Sequence, residues 1–127
     1  QEMSTAVQYK LPIKIFILNN QYMGMVRQWQ ELLHEKNYSE SYTAALPDFV
    51  KLAEAYGCVG IQATKPDELD EKINEMINTK EPVIFDCRVD PNENCYPMIP
   101  SGKPHNQMLL GPEDEKEEVT DEGKTLV

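Results

Sequence analysis

Asn19 and Asn20 stand side by side at the end of an apolar run, and Gly24 follows four residues later. Amide and backbone carbonyl oxygens are hard ligands, suited to a Mg²⁺ ion that carries phosphate oxygens. A glycine at the start of a helix lets the backbone approach a phosphate, and the positive end of the helix favours its charge. The same residues also suit a plain turn followed by an N-cap. Trp29, the single tryptophan, has two readings: a core anchor, or the aromatic wall of a substrate pocket. His34 and His105 lack metal-ligand spacing and read as surface or loop residues. Ser101-Gly102, within a proline-rich stretch, reads as a turn. There is no GxSxG elbow, P-loop or Cys/His nucleophile pattern.

The elements that must position these residues alternate regularly. Residues 1–9 suggest the end of a helix, stopped before Pro12. Residues 13–18 are β-branched and aromatic-rich and predict a buried strand. From Tyr22 to about Glu35, Met25, Val26, Trp29, Leu32 and Leu33 recur at helical spacing. Residues 36–46 read as a polar loop. A second helix has Pro47 at its first position, Asp48 at the positive end of its dipole and Gly57 as its stop, with Phe49, Val50, Leu52, Ala53 and Tyr56 inward. Residues 58–63 predict a short strand. Pro66-Asp67-Glu68 opens a third helix with a stripe of Leu69, Ile73, Met76 and Ile77, and residues 82–89 form a third strand.

This order predicts an α/β fold, a three-layer parallel sheet with flanking helices. In such sheets ligands bind beyond the carboxyl ends of the strands, where the Asn19–Gly24 segment, Ala63-Thr64-Lys65 and Asp90-Pro91-Asn92 fall. Three strands leave both edges open, which suggests that other strands continue the sheet. Residues 90–110, with Pro91, Pro97, Pro100 and Pro104, predict an extended arm.

The chain has 127 residues and a formal net charge of -10, which argues against a nucleic-acid or anionic-membrane partner. Half of that charge lies in residues 111–127, which predict an acidic, disordered tail. The longest apolar run, Ile15 to Leu18, is far short of the roughly 18 residues a membrane span needs. The three cysteines form no CxxC pair; Cys58 and Cys87 read as small core residues, and a reducing cytoplasm fits best.

The strings LPIKIFILNNQYMGMVRQWQELLHEKNYSESYT, LPDFVKLAEAYG, KPDELDEKINEMINTKEPVIFDCRV and YPMIPSGKPHNQMLLG resemble the catalytic large subunit of acetolactate synthase, also called acetohydroxyacid synthase. The resemblance runs in order from Gln1 to about Gly111. It implies a partial thiamine-diphosphate-binding fold over residues 1–110. It also implies a role in branched-chain amino-acid biosynthesis, towards isoleucine and valine. There, pyruvate is decarboxylated on thiamine diphosphate and joined to a second 2-keto acid, giving acetolactate or acetohydroxybutyrate.

The resemblance further implies Mg²⁺, an FAD bound elsewhere in the full-length enzyme, a homo-oligomer (dimer or tetramer) and a regulatory small subunit. Residue by residue, it makes Asn20 a metal ligand and Tyr22 a second, through its backbone carbonyl. Both of these, with Gly24 and Met25, lie against the cofactor. Val26, Trp29 and Ser101 line the substrate channel.

The family's motif pairs Asn-Asn with an upstream Gly-Asp-Gly that supplies a carboxylate ligand, and a Glu of another domain activates the cofactor. Neither falls in this sequence. The expectation is therefore the C-terminal part of a thiamine-diphosphate-binding domain, with no catalytic residue of its own and no activity in isolation. The contrasting expectations are a non-catalytic α/β module that docks a partner along a sheet edge, and another carboligase or decarboxylase using the same cofactor.

Overall fold

Strand-forming and helix-forming stretches fall close to where the residue pattern puts them in the computed structural model, which describes residues 1–112. The acidic residues 113–127 of the predicted tail lie outside the described residues. The elements run α1 (Glu2–Gln8), β1 (Lys14–Asn19), α2 (Gly24–Leu33), α3 (Phe49–Tyr56), β2 (Val59–Ala63), a 3₁₀ turn (Pro66–Glu68), α4 (Leu69–Asn78) and β3 (Val83–Arg88). The chain divides into two compact units: residues 1–21 with 44–91, and residues 22–43 with the described residues from 92 on.

The first unit holds the sheet. Its strand order is β1-β3-β2 and both pairings are parallel, as expected. The last strand in sequence therefore takes the centre, which explains why Val83 to Cys87 are all buried. Alternation along β3 divides the core. Val83, Phe85 and Cys87 pack with Ile61, Ala63 and Met76, backed by Leu69 and Ile73 of α4. Ile84 points the other way, into a cluster with Ala53 and Cys58, bordered by Met3, Val7, Ile15, Ile17, Phe49 and Tyr56. Helices α1 and α3 cover that face and α4 the opposite one, so the three layers are real. Over β1 the α4 side is open: Leu18 is 68% exposed and Phe16 is covered only in part, against the Phe85 ring at 4.6 Å.

The boundaries of α3 carry two lessons. Gly57 ends the helix in the left-handed region at φ 79, as the sequence suggests. At the start, however, Asp48 is the N-cap, accepting the Lys51 N–H at 3.1 Å, so Pro47 lies outside the helix rather than at its first position. An aspartate that caps gains a hydrogen bond as well as the dipole, and the cap outcompetes a helical placement. That backbone N–H donation holds the Asp48 carboxyl below the usual carboxylate range. Gly60 is where α3 meets β2: a Cβ there would stand 2.9 Å from the Val50 Cα and carbonyl oxygen.

The second unit departs from expectation twice. Helix α2 forms, shorter at both ends than predicted, but it does not bury the predicted stripe. Met25 and Val26 are 55% and 42% exposed, while Arg27 and Gln28 are 3% and 1% exposed. Trp29, Leu32 and Leu33 are half-buried. The second departure is the arm. It folds back on itself through paired hydrogen bonds between Met98 and Leu109, at 2.9 and 2.7 Å, with Leu109 buried.

The inward turn of Arg27 and Gln28 is matched by partners in the arm. Arg27 donates to Glu31, to the Asn92 carbonyl at 2.7 Å and to Asn94 Oδ1. Gln28 donates to the Cys95 carbonyl at 3.0 Å and accepts the Cys95 N–H at 2.7 Å. The Gln28 amide thus closes a two-bond pair with the arm, as a strand neighbour would. Hydrophobic period decides which residues share a helix face. It does not decide which face turns inward when the polar side has backbone to satisfy.

Candidate functional site

The end of β1 is set by the side chain of Asn19. Its Oδ1 accepts the Gln21 N–H at 3.1 Å, an Asx turn that fits the short reach of the side chain. Gln21 is left-handed at φ 62, which turns the chain sharply out of the strand. Asn20, half-buried, occupies the middle of that turn. Of the two readings of the amide pair, the turn is present and the N-cap is not. The N-cap of α2 is Met23, with no side-chain oxygen on the helix N–H groups.

Tyr22 begins the second unit and pairs with Tyr42 in an isolated antiparallel bridge, their rings 5.1 Å apart. The bridge closes through the flanking Met23 N–H and Ser41 carbonyl at 2.8 Å. In that pattern the paired residue's own N–H and C=O point away from its partner strand. The Tyr22 carbonyl is thus turned away from Tyr42, and its side chain packs on the ring beside it.

Gly24 is the first residue of α2, and Met25 and Val26 stand exposed on its first turn. Trp29 follows on the same helix, half-buried. Ser101 is half-buried in the turn that ends at Gly102, where φ is 79. Of the predicted residues, Asn20 belongs to the first unit, and Tyr22, Gly24, Met25, Val26, Trp29 and Ser101 to the second.

Could these residues hold a divalent ion? The donor chemistry fits Mg²⁺: an amide oxygen and a main-chain carbonyl, both hard and neutral. Among the described residues no group of three or more His, Cys, Asp or Glu is placed to hold a metal. The first unit also contains a cavity of about 650 Å³ lined by Asp48, Lys51, Gln62, Asp86 and Arg88, among others. None of the predicted site residues lines it.

Asp86 is the residue that the sequence reading passed over. It is 1% exposed in the centre of β3. Its Oδ1 accepts from Asn19 Nδ2 at 2.7 Å and its Oδ2 from Gln62 Nε2 at 2.9 Å, with Arg88 Nε at 3.2 Å. A carboxylate inside the apolar string Val83-Ile84-Phe85-Asp86-Cys87 is itself the signal, because a buried charge demands partners. Burial pushes the Cys58 and Cys87 thiols up, so both stay protonated and fit the core role expected of them. His34 and His105 are exposed.

Residues 1–87 match the family described as thiamine pyrophosphate enzyme, C-terminal TPP binding domain, and the chain belongs to that family. Among similar curated proteins is the acetolactate synthase large subunit of Cyanidium caldarium, 51% identical over 110 residues, covering 86% of this chain and 19% of that protein. That of Haemophilus influenzae is 46% identical over 117 residues, covering 91% and 20%. Acetolactate synthase isozyme 3 large subunit of Escherichia coli is 47% identical over 113 residues, covering 87% and 20%. The chain thus spans about a fifth of the length of these relatives.

Among solved structures, the thiamine diphosphate-dependent 4-hydroxybenzoylformate decarboxylase of Rhodococcus jostii RHA1 superposes with a TM-score of 0.61. It is 27% identical and covers 69% of this chain and 16% of that one.

Proposed function

We propose that this chain is the C-terminal part of the thiamine-diphosphate-binding domain of an acetolactate synthase large subunit. The full-length enzyme would join decarboxylated pyruvate to a second 2-keto acid, giving acetolactate or acetohydroxybutyrate. The observation that carries this reading is the identity of 44–51% to proteins of that name, spread over most of the chain. A decarboxylase of the same cofactor class is less well supported, since the structural relative of that activity is only 27% identical.

Thiamine diphosphate, when bound, supplies the electron sink for decarboxylation. This chain's part is to hold and orient it. The Asn20 side chain and the Tyr22 carbonyl are the proposed Mg²⁺ ligands, and the uncapped N-terminus of α2 at Gly24 is the proposed resting place of phosphate charge. Exposed Met25 and Val26 give apolar cover to the cofactor and channel, as ligand sites require. The remaining elements of the reading are a carboxylate ligand and an FAD site from outside this segment, a homo-oligomer with a regulatory small subunit, and a cytoplasmic location. No helix among the described residues is long and apolar enough to cross a membrane.

Two measurements test the reading. The 127-residue chain alone is expected to form no acetolactate and to bind Mg²⁺ and thiamine diphosphate without measurable heat, because one amide and one carbonyl make too small a ligand set. Micromolar affinity in calorimetry would refute that.

In the full-length enzyme, Trp29→Leu should leave the fold nearly intact and blur the choice between pyruvate and 2-ketobutyrate as second substrate. One methylene of contact is worth about 1–3 kcal/mol, so the product ratio should shift roughly ten-fold. The assay supplies both keto acids together and quantifies both products, beside a thermal melt. An unchanged ratio with a large drop in melting temperature would make Trp29 a core anchor instead.

A further inference from the structure

Asp86 has a place in the site that its burial conceals. Core strands rarely hold a carboxylate, because desolvation is costly unless both oxygens find donors. Here all three strands supply them: Asn19 from β1, Gln62 from β2 and Arg88 from β3 itself. The arrangement also lies on the best-fixed strand, paired on both sides.

What this anchor does is read from Asn19. A carboxylate only accepts hydrogen bonds, so it selects the amide nitrogen of Asn19. That choice leaves Oδ1 to face the Gln21 N–H, at 3.1 Å. Reversing the amide would set oxygen against carboxylate and NH₂ against N–H. Asp86 therefore dictates the one orientation of Asn19 that closes the Asx turn. The turn in turn holds Gln21 at φ 62, a conformation that a residue other than glycine keeps only when its surroundings enforce it. Every group in this relay, from Gln62 and Arg88 through Asp86 and Asn19 to Gln21, lies in the first unit.

We propose that Asp86 is a positioning residue: acting through Asn19, it fixes the turn that presents Asn20, and so sets the affinity for Mg²⁺ and the cofactor's diphosphate. This rests on the reading of Asn20 as a metal ligand. Asp86 itself is not a ligand in this account, being buried with both oxygens occupied. A purely structural Asp86 would matter to stability alone.

The test uses the full-length enzyme, with calorimetric titration of Mg²⁺ and thiamine diphosphate beside thermal melts. Asp86→Leu keeps the branched outline of the side chain, at a larger volume, and removes both acceptors. It should weaken Mg²⁺-dependent cofactor binding about ten-fold or more, the usual cost of losing a group that orients a metal ligand. Asp86→Asn still offers Asn19 an acceptor and should recover the affinity to within about three-fold. If Asp86→Leu fails to fold, Asn19→Ser carries the test, since a serine can still accept the Gln21 N–H but falls short of Asp86. It should weaken binding to the same degree.

Asn20→Ala separates the two levels of the argument. If it weakens binding while folded Asp86→Leu or Asn19→Ser does not, the relay is overturned and the ligand reading stands. If Asn20→Ala leaves binding unchanged, both fall. Equal weakening by Asp86→Leu and Asp86→Asn would also overturn the relay, because it would assign the effect to charge and not to the bridge.

Discussion

Asn20→Ala in the full-length enzyme is expected to abolish cofactor activation at ordinary Mg²⁺ concentrations, while Tyr22→Phe is expected to leave it nearly unchanged. The contrast follows from the two donors. Asn20 would contribute through its side chain, so truncation removes a ligand oxygen outright. Groups that merely orient ligands cost 10–100-fold in affinity when lost, and a ligand should cost at least about 100-fold. Tyr22 would contribute through its main chain, and Phe keeps that carbonyl.

Phe also keeps the ring that packs on Tyr42 at 5.1 Å, so the bridge that turns the carbonyl outward survives. Titrating Mg²⁺ against activity at saturating thiamine diphosphate reads both variants. Excess Mg²⁺ should partly restore Asn20→Ala, because the loss is one of affinity. If Tyr22→Phe proved as damaging as Asn20→Ala, the backbone assignment would have to be abandoned in favour of the phenol.

The parts of the fold that were legible in sequence are those governed by local rules. The β-branched and aromatic residues of 14–19 and 83–88 became strands, and Gly57 and Pro66 marked a helix end and a helix start. The parallel sheet followed from alternation of strands with helices. Illegible were the contacts that depend on long sequence separation. Nothing near Arg27 or Gln28 in the chain announces that Asn92, Asn94 and Cys95 will supply their partners.

For the same reason a conventional reading of amphipathicity missed that α2 buries Arg27 and Gln28 while Met25 and Val26 stand exposed. At the site, the amide pair was visible but its internal division of labour was not. Asn19 closes the turn and donates to Asp86, a part that appears only once Asp86 is seen on the neighbouring strand. The acid in the middle of an apolar run was the available clue.

The arm depends on that same helix, and Arg27→Met should release it. Arg27 is buried, and its guanidinium joins Glu31, the Asn92 carbonyl and Asn94, with the Tyr22 ring 6.0 Å from its centre. Methionine matches much of its stem but none of its donors, so three part-buried hydrogen bonds would be lost. Removing one member of a fully buried pair costs about 3–5 kcal/mol, and the cost here should be smaller because Glu31 keeps some exposure to water. Arg27→Lys should fall between, since it keeps the charge but cannot reproduce the planar fork that serves several acceptors at once.

Hydrogen exchange gives the local readout. The Cys95 N–H is held by Gln28 Oε1 at 2.7 Å, and its protection should drop in Arg27→Met if the two polar residues clamp the arm together. Amides of β3, in the other unit, should keep their protection. Because Ser101 lies on this arm, the full-length variant is expected to show a raised KM for the second keto acid with a smaller change in kcat. Undiminished protection at Cys95 would show that Gln28 holds the arm unaided and that Arg27 serves only α2.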